Sequence, residues 1–133
     1  MLVTIEKVLL LKQIPLFKTV SNMALSDLMS VAEEQTFRAG EILIPKGVKN
    51  NAAYFLLSGA VNVCEGENKK SVSAKTVLGL DSVFWIAPTL EQVVVAQKSV
   101  ILKVSQERLY RMMALHPSLA AAILHGLSVL GHP

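Results

Sequence analysis

Apolar and polar positions change their period twice along the chain. Up to residue 34 they repeat at helical spacing, from 35 to 104 they alternate or run in short apolar bursts, and from 105 to the end they return to helical spacing. In the first part, Ile5, Val8, Leu9 and Lys12 predict a short amphipathic helix over residues 3–12. Ile14-Pro15-Leu16-Phe17 then turns the chain and offers Leu16 and Phe17 as core anchors. Ser21 or Asn22 caps a second helix, on which Leu25, Leu28, Met29 and Ala32 share a face and Glu33-Glu34 points outward.

The middle part reads as about eight short strands. Residues 35–37 and 41–44 flank a turn at Arg38-Ala39-Gly40, and Pro45-Lys46-Gly47 ends the second strand. Two apolar β-prone runs, Tyr54 to Leu57 and Ala60 to Val63, flank Ser58-Gly59, which predicts a hairpin turning on Gly59. Glu65 to Lys70 is polar throughout and predicts a loop carrying Lys69 and Lys70. Ser71 to Leu78 alternates as a strand. Val93–Ala96 and Val100–Val104 predict two further strands joined by Gln97-Lys98-Ser99. In the last part Ser105 caps a helix bearing Leu109, Met112, Met113 and Leu115. Pro117 opens a final helix at the first position that proline favours. Helices at both ends of many short strands predict a mainly β sandwich or jelly roll in one domain, divided into 1–34, 35–104 and 105–133.

The bulk numbers narrow the chemistry. A chain of 133 residues, 52% hydrophobic, fits one domain with one dry core. A net charge of +3 with interspersed signs lacks the clustered basic stripe of a nucleic-acid surface, so no nucleic-acid partner is expected. Cys64 is the only cysteine, which excludes an internal disulfide and agrees with a reducing, cytoplasmic setting. Residues 112–130 contain no Asp, Glu, Lys or Arg, but His116-Pro117 interrupts them. The remaining 14 residues reach about 21 Å as a helix, short of a roughly 30 Å hydrocarbon core.

Taken in order, these pieces resemble the cyclic nucleotide-binding domain family. Phe37-Arg38-Ala39-Gly40-Glu41-Ile42 is similar to its F-x-x-G-E-x-I signature. Gly47, Tyr54 and Ser58-Gly59-Ala60-Val61 are similar to its G…Y-x-x-x-S-G-x-V series. Leu78-Gly79 resembles the entry to the ligand site, and Lys103-Val104-Ser105 with Leu109 and Pro117 resembles the closing strand and helices. The resemblance implies an eight-stranded antiparallel jelly-roll β-barrel with N-terminal helices and two C-terminal helices. It implies a regulatory domain without catalysis. The opening stretch, Thr4 to Leu11 through Pro15-Leu16-Phe17, is also similar to versions of the domain attached to helical repeats or membrane proteins, which adds a membrane protein as a conceivable partner.

The same resemblance locates the expected pocket and shows it changed. The family's cassette has F-G-E, a short helix, and R-[ST]-A ahead of a strand, with the helix N-terminus and the arginine taking the phosphate. Phe84 matches, but Trp85 stands for the glycine, Ile86 for the glutamate, Leu90 (next to Glu91) for the arginine and Val93 for the threonine. Ala87, Pro88 and Thr89 leave little room for the helix. The pocket residues are thus expected to be Leu78, Gly79, Phe84, Trp85, Ile86, Leu90, Glu91 and Val93, with bulky apolar groups where a phosphate would lodge and no arginine nearer than Arg38 and Arg108. Ordinary binding of cyclic AMP or cyclic GMP is not expected, and no cofactor is implied. A rebuilt pocket in which Trp85 or Phe84 stacks on a base is the alternative.

Other chemistry finds less support. Cupins share the barrel, but His116, His125 and His132 all follow the strands, away from where a cupin metal sits. There is no G-x-S-x-G elbow and no P-loop. On the last helix, Leu119, Ile123, Leu127 and Leu130 form an apolar stripe, widened by Leu124 and Val129. This stripe is the expected interface for self-association or for another protein.

Overall fold

A computed structural model describes residues 3–129. Its helices are α1 (Thr4–Lys12), α2 (Asn22–Val31), α3 (Gln106–Leu115) and α4 (Pro117–Val129). A 3-10 turn at Pro15–Phe17 links α1 to α2. Six strands lie between α2 and α3: β1 (Glu33–Phe37), β2 (Ile42–Ile44), β3 (Ala52–Glu65), β4 (Asn68–Ser73), β5 (Thr76–Leu78) and β6 (Gln92–Ser105). All pair antiparallel. This is the antiparallel jelly roll with helices at both ends that the sequence predicts.

The helix ends follow the expected chemistry. Ser21 Oγ accepts from the Ala24 N–H at 3.1 Å, and Ser105 Oγ accepts from the Arg108 N–H at 3.4 Å. Pro117 opens α4. Phe17 is fully buried and meets Phe55 edge-on, ring centroids 5.4 Å apart.

The strands differ from expectation in five places. The expected hairpin at Ser58-Gly59 is absent, and β3 runs through without turning. Gly59 does adopt a positive φ, +99°, but it uses it for a bulge in the ladder with β6, whose register shifts between Leu56 and Val61. The expected break at Gln97–Ser99 is absent for the same reason, since β6 follows β3 through the bulge and Ser99 Oγ accepts from the Ala60 N–H at 3.2 Å. Two long strands therefore replace four short ones. The 65–70 loop shrinks to the two residues Gly66-Glu67, because Glu65 pairs with Asn68 and Lys69 and Lys70 are strand residues. The 71–78 strand breaks instead at Lys75, which has φ +69°. Glu33 and Glu34 belong to β1 and not to α2. Glu34 lies 3.6 Å from Lys7, and Glu33 lies 3.6 Å from Arg108.

Period-2 alternation on the two long strands builds two cores on opposite faces of one ladder. Phe55 opposite Leu102 faces the helices and joins Leu11, Phe17, Leu25, Leu109, Leu119 and Ile123. Leu56 opposite Ile101 faces the barrel interior and joins Leu43, Ile44, Val61, Leu78, Val93 and Val95. The stripe read on the last helix accordingly faces inward. Leu119 is 0% exposed, Ile123 is buried, and Leu127 is half-buried against the same core. Leu130 and His132 lie outside the described residues. Leu124, 61% exposed, is the large apolar residue that α4 turns to solvent among the described side chains. No described helix is long and apolar enough to cross a membrane.

Candidate functional site

The barrel-facing cluster opens at one end into a pocket of about 360 Å³, within the range of small-ligand sites. Of the eight expected residues, Leu78, Gly79, Glu91 and Val93 line it, with Ile44 and Val63 as further apolar walls. Gly79 holds the entry loop. At φ +74° it takes a conformation that suits glycine. A Cβ there would stand 2.6 Å from Asn50 Nδ2 and 2.9 Å from Ile44 Cδ1. The buried Asn50 side chain ties the loop together. Its Nδ2 donates to Gly79 O at 3.1 Å and to Ser82 Oγ at 2.9 Å, and its Oδ1 accepts from the Ala52 N–H at 3.3 Å. Asp81 Oδ1 accepts from the Ser82 N–H at 2.8 Å, which starts a single 3-10 turn over Ser82–Phe84.

Beyond that turn the chain does not fold as a helix over the pocket. Residues 85–91 run as a loop fastened through Thr89, which is 3% exposed. Its N–H donates to Val48 O at 3.1 Å and its carbonyl accepts from the Gly47 N–H at 2.9 Å. Its Oγ1 accepts from the Glu91 N–H at 3.1 Å and donates to Glu91 O at 3.2 Å. Zipped to Gly47-Val48 in this way, the loop turns Ile86 (95% exposed) and Leu90 (65% exposed) to solvent.

The expectation that bulky groups fill the pocket is thereby corrected for four residues. Ile86 and Leu90 point away from it. Phe84 stacks on Tyr110 of α3 at 5.5 Å and packs on the helix-side core. Trp85 is half-buried and contributes no wall. The expectation of a pocket without a cation is corrected too, because Lys70 lines it from β4. Lys70 pairs with Val63, so the β3–β4 register brings it to the wall. Asp81 and Glu91 add two carboxylates to the same pocket, along with the hydroxyl residues Thr76, Ser82 and Thr89. Neither arginine reaches it. Arg38 lines a separate cleft with Glu41 and Lys98, and Arg108 donates to Val31 O at 3.1 Å beside Glu33.

Lys70, Asn50 and Thr89 are among the site residues that sequence reading missed, with Thr76, Asp81 and Ser82. Lys70 was hidden in an unbroken polar run. Asn50 and Thr89 are polar residues buried by long-range hydrogen bonds, which leave no local signature. The two described histidines stand elsewhere, His116 with Nε2 at 2.8 Å from Asp27 and His125 exposed on α4.

Comparison with known proteins agrees with this architecture. No curated protein sequence matches significantly. The sensor domain of the transcriptional regulator DNR from Pseudomonas aeruginosa superposes with a TM-score of 0.79 at 20% identity, covering 95% of this chain and 89% of that one. The N-terminal domain of a transcriptional regulator from Streptomyces coelicolor A3(2) gives 0.78 at 20% identity, covering 90% and 89%. The Thermus thermophilus catabolite activator protein gives 0.77 at 17% identity, covering 86% of this chain but 56% of that one. At these identities the likeness is one of fold, and the fold is one that regulators use. The sequence model of the cyclic nucleotide-binding domain matches residues 34–116, from the first strand to the end of α3; by that match over most of its length, the chain belongs to the cyclic nucleotide-binding domain family.

Proposed function

We propose that this domain is a non-catalytic regulatory module that does not take cyclic AMP or cyclic GMP through a phosphate cassette. The observation that carries the reading is the 85–91 loop. It has no helix to offer a row of N–H groups, and the position read as the arginine is Leu90, turned to solvent. A charge-assisted hydrogen bond contributes roughly 1.5–3 kcal/mol, and an anion buried without its partner costs several kcal/mol more. Set against the roughly 8 kcal/mol of micromolar binding, these losses remove most of the affinity. Lys70 offers one cation, but Asp81 and Glu91 face the same space and oppose a phosphodiester. Calorimetric titration with cyclic AMP and cyclic GMP tests the reading. Affinities weaker than about 10 μM for both are expected, and tighter binding by either overturns it.

The open pocket favours a second reading, a sensor for a different small molecule. Trp85 does not fill the pocket, and its wall combines one ammonium, two carboxylates and three hydroxyls. A metabolite panel read by thermal shift separates the two, since a ligand of this pocket raises the melting temperature in proportion to its occupancy. In either case the output passes to another protein or a second copy in the cytoplasm, with exposed Leu115 and Leu124 as the apolar residues α3 and α4 leave for contact.

A further inference from the structure

A second cavity, of about 460 Å³, lies across β5 from the pocket beside Gly79, between the Pro15–Phe17 turn, β5 and α4. Its walls are apolar: Ile14 and Leu16 from the turn, Val77 and Leu80 from the strand side. Its polar lining residues are Lys75, Thr76 and His125. Lys75 and His125, both exposed, line it, and no acidic residue does. Among the described residues neither side chain takes part in a hydrogen bond or ion pair. The neighbouring pocket, with Asp81 and Glu91, has the opposite balance.

Two backbone features shape this groove. Lys75 sits at φ +69°, in the left-handed region that glycine adopts freely and a lysine does not. Its N–H donates to Leu56 O at 2.7 Å, so the ladder holds it there. The second feature is Gly126 on α4. A Cβ there would stand 2.4 Å from Leu16 Cδ1, so the Leu16 side chain packs directly on the helix backbone at the groove.

We propose that this groove binds a medium-chain alkyl carboxylate. The chain lies along Ile14, Leu16, Val77 and Leu80, and the carboxylate is held between Lys75 and His125. A hydrocarbon chain suits the apolar walls, and a single anionic end suits the Lys75 ammonium and the His125 ring N–H as donors at the open rim. The occupant touches α4, the turn and β5 at once. The proposal does not rest on the fate of cyclic nucleotides in the other pocket.

Calorimetry on the full chain tests it, using hexanoate, octanoate and decanoate below their micellar concentrations. Decanol and decyltrimethylammonium serve as charge controls. Affinity is expected to rise about fourfold per added methylene until the groove is full, with decanoate at least about tenfold tighter than either control. Lys75→Gly relieves the strained φ, so it is expected to fold at least as stably while weakening decanoate about tenfold or more. Glu91→Gln, in the other pocket, is expected to leave decanoate binding unchanged. No decanoate binding up to about 1 mM overturns the proposal. So does equal binding of decanol, undiminished binding by Lys75→Gly, or weakened binding by Glu91→Gln. Retention of the chain on phosphatidylcholine–phosphatidylglycerol vesicles, without binding of free decanoate, would assign the groove to a lipid surface and overturn the free-carboxylate reading.

Discussion

Gly59 and Gly40 both have positive φ, at +99° and +92°, yet their surroundings differ completely. A Cβ on Gly59 would stand 2.1 Å from Ser99 Oγ and 2.6 Å from Lys98 O, whereas one on Gly40 would meet nothing within 4 Å. Gly40→Ala carries only the conformational cost, about 1 kcal/mol. Gly59→Ala adds a clash with backbone that the β3–β6 ladder holds in place, so a loss of about 3 kcal/mol or more is expected. Urea unfolding of the two variants side by side measures the difference, and equal losses would mean that the bulge yields easily. The need for glycine at 59 was readable from its setting between two apolar runs. That it serves a bulge and not a turn was not readable, because the deciding contact comes from Ser99, forty residues on. Tyr54 makes a residue-scale statement about pH. Burial raises its phenol above the ordinary value near 10. The unfolded chain therefore ionises first as pH rises. The stability tied to this group is fully present below pH 10 and is lost as pH climbs through the folded value. Tyr54→Phe is expected to show a shallower loss of stability above pH 10 than the parent chain, followed by denaturant midpoints across that range.

Elements were legible where their signals are local and lost where they depend on a partner. Ser21, Ser105 and Pro117 mark helix starts in the sequence, and α2, α3 and α4 begin where they indicate. Strand ends were harder. An apolar run interrupted by Ser58-Gly59 or by Gln97-Lys98-Ser99 reads the same whether the chain turns back or bulges and continues, and only the register of β3 on β6 decides. The cassette region was half legible. The sequence shows no arginine between Phe84 and Ala96, but the direction of Leu90 and Ile86 could not be read, because Thr89 bonding to Gly47 and Val48 sets the path of that loop. On α4, apolar spacing gave the stripe without saying which way it faces. Burial now separates two neighbours in the same helix. Ile123→Ala should cost about 2–5 kcal/mol and Leu124→Ala within about 0.5 kcal/mol. Thermal melts of both variants check this, and a Leu124 variant as damaged as the Ile123 one would mean that α4 is rotated from the arrangement described.

At the scale of the molecule, the two cores share their supports. Phe55 and Leu102 belong to the helix-side cluster and Leu56 and Ile101 to the barrel-side cluster, yet each pair follows the other along the same two strands. Neither core can come apart without exposing one face of the β3–β6 ladder, and the register runs from Ala52–Ser105 to Cys64–Gln92. Helices and barrel are therefore expected to unfold together, as small two-state proteins do. A variant in each core tests this. Leu119→Ala opens a cavity under the helices and Ile101→Val a smaller one in the barrel, at about 2–5 and 0.5–1.5 kcal/mol respectively. Circular dichroism and the fluorescence of Trp85, the only tryptophan, should trace one coincident transition in both variants, shifted in proportion to the lost stability. If Leu119→Ala instead split the unfolding into two steps, with the barrel surviving the helices, the two faces would be independent. Binding on one side of β5 would then have no route to α4 through the common ladder, whereas a single transition keeps both pockets and the last helix within one cooperative unit.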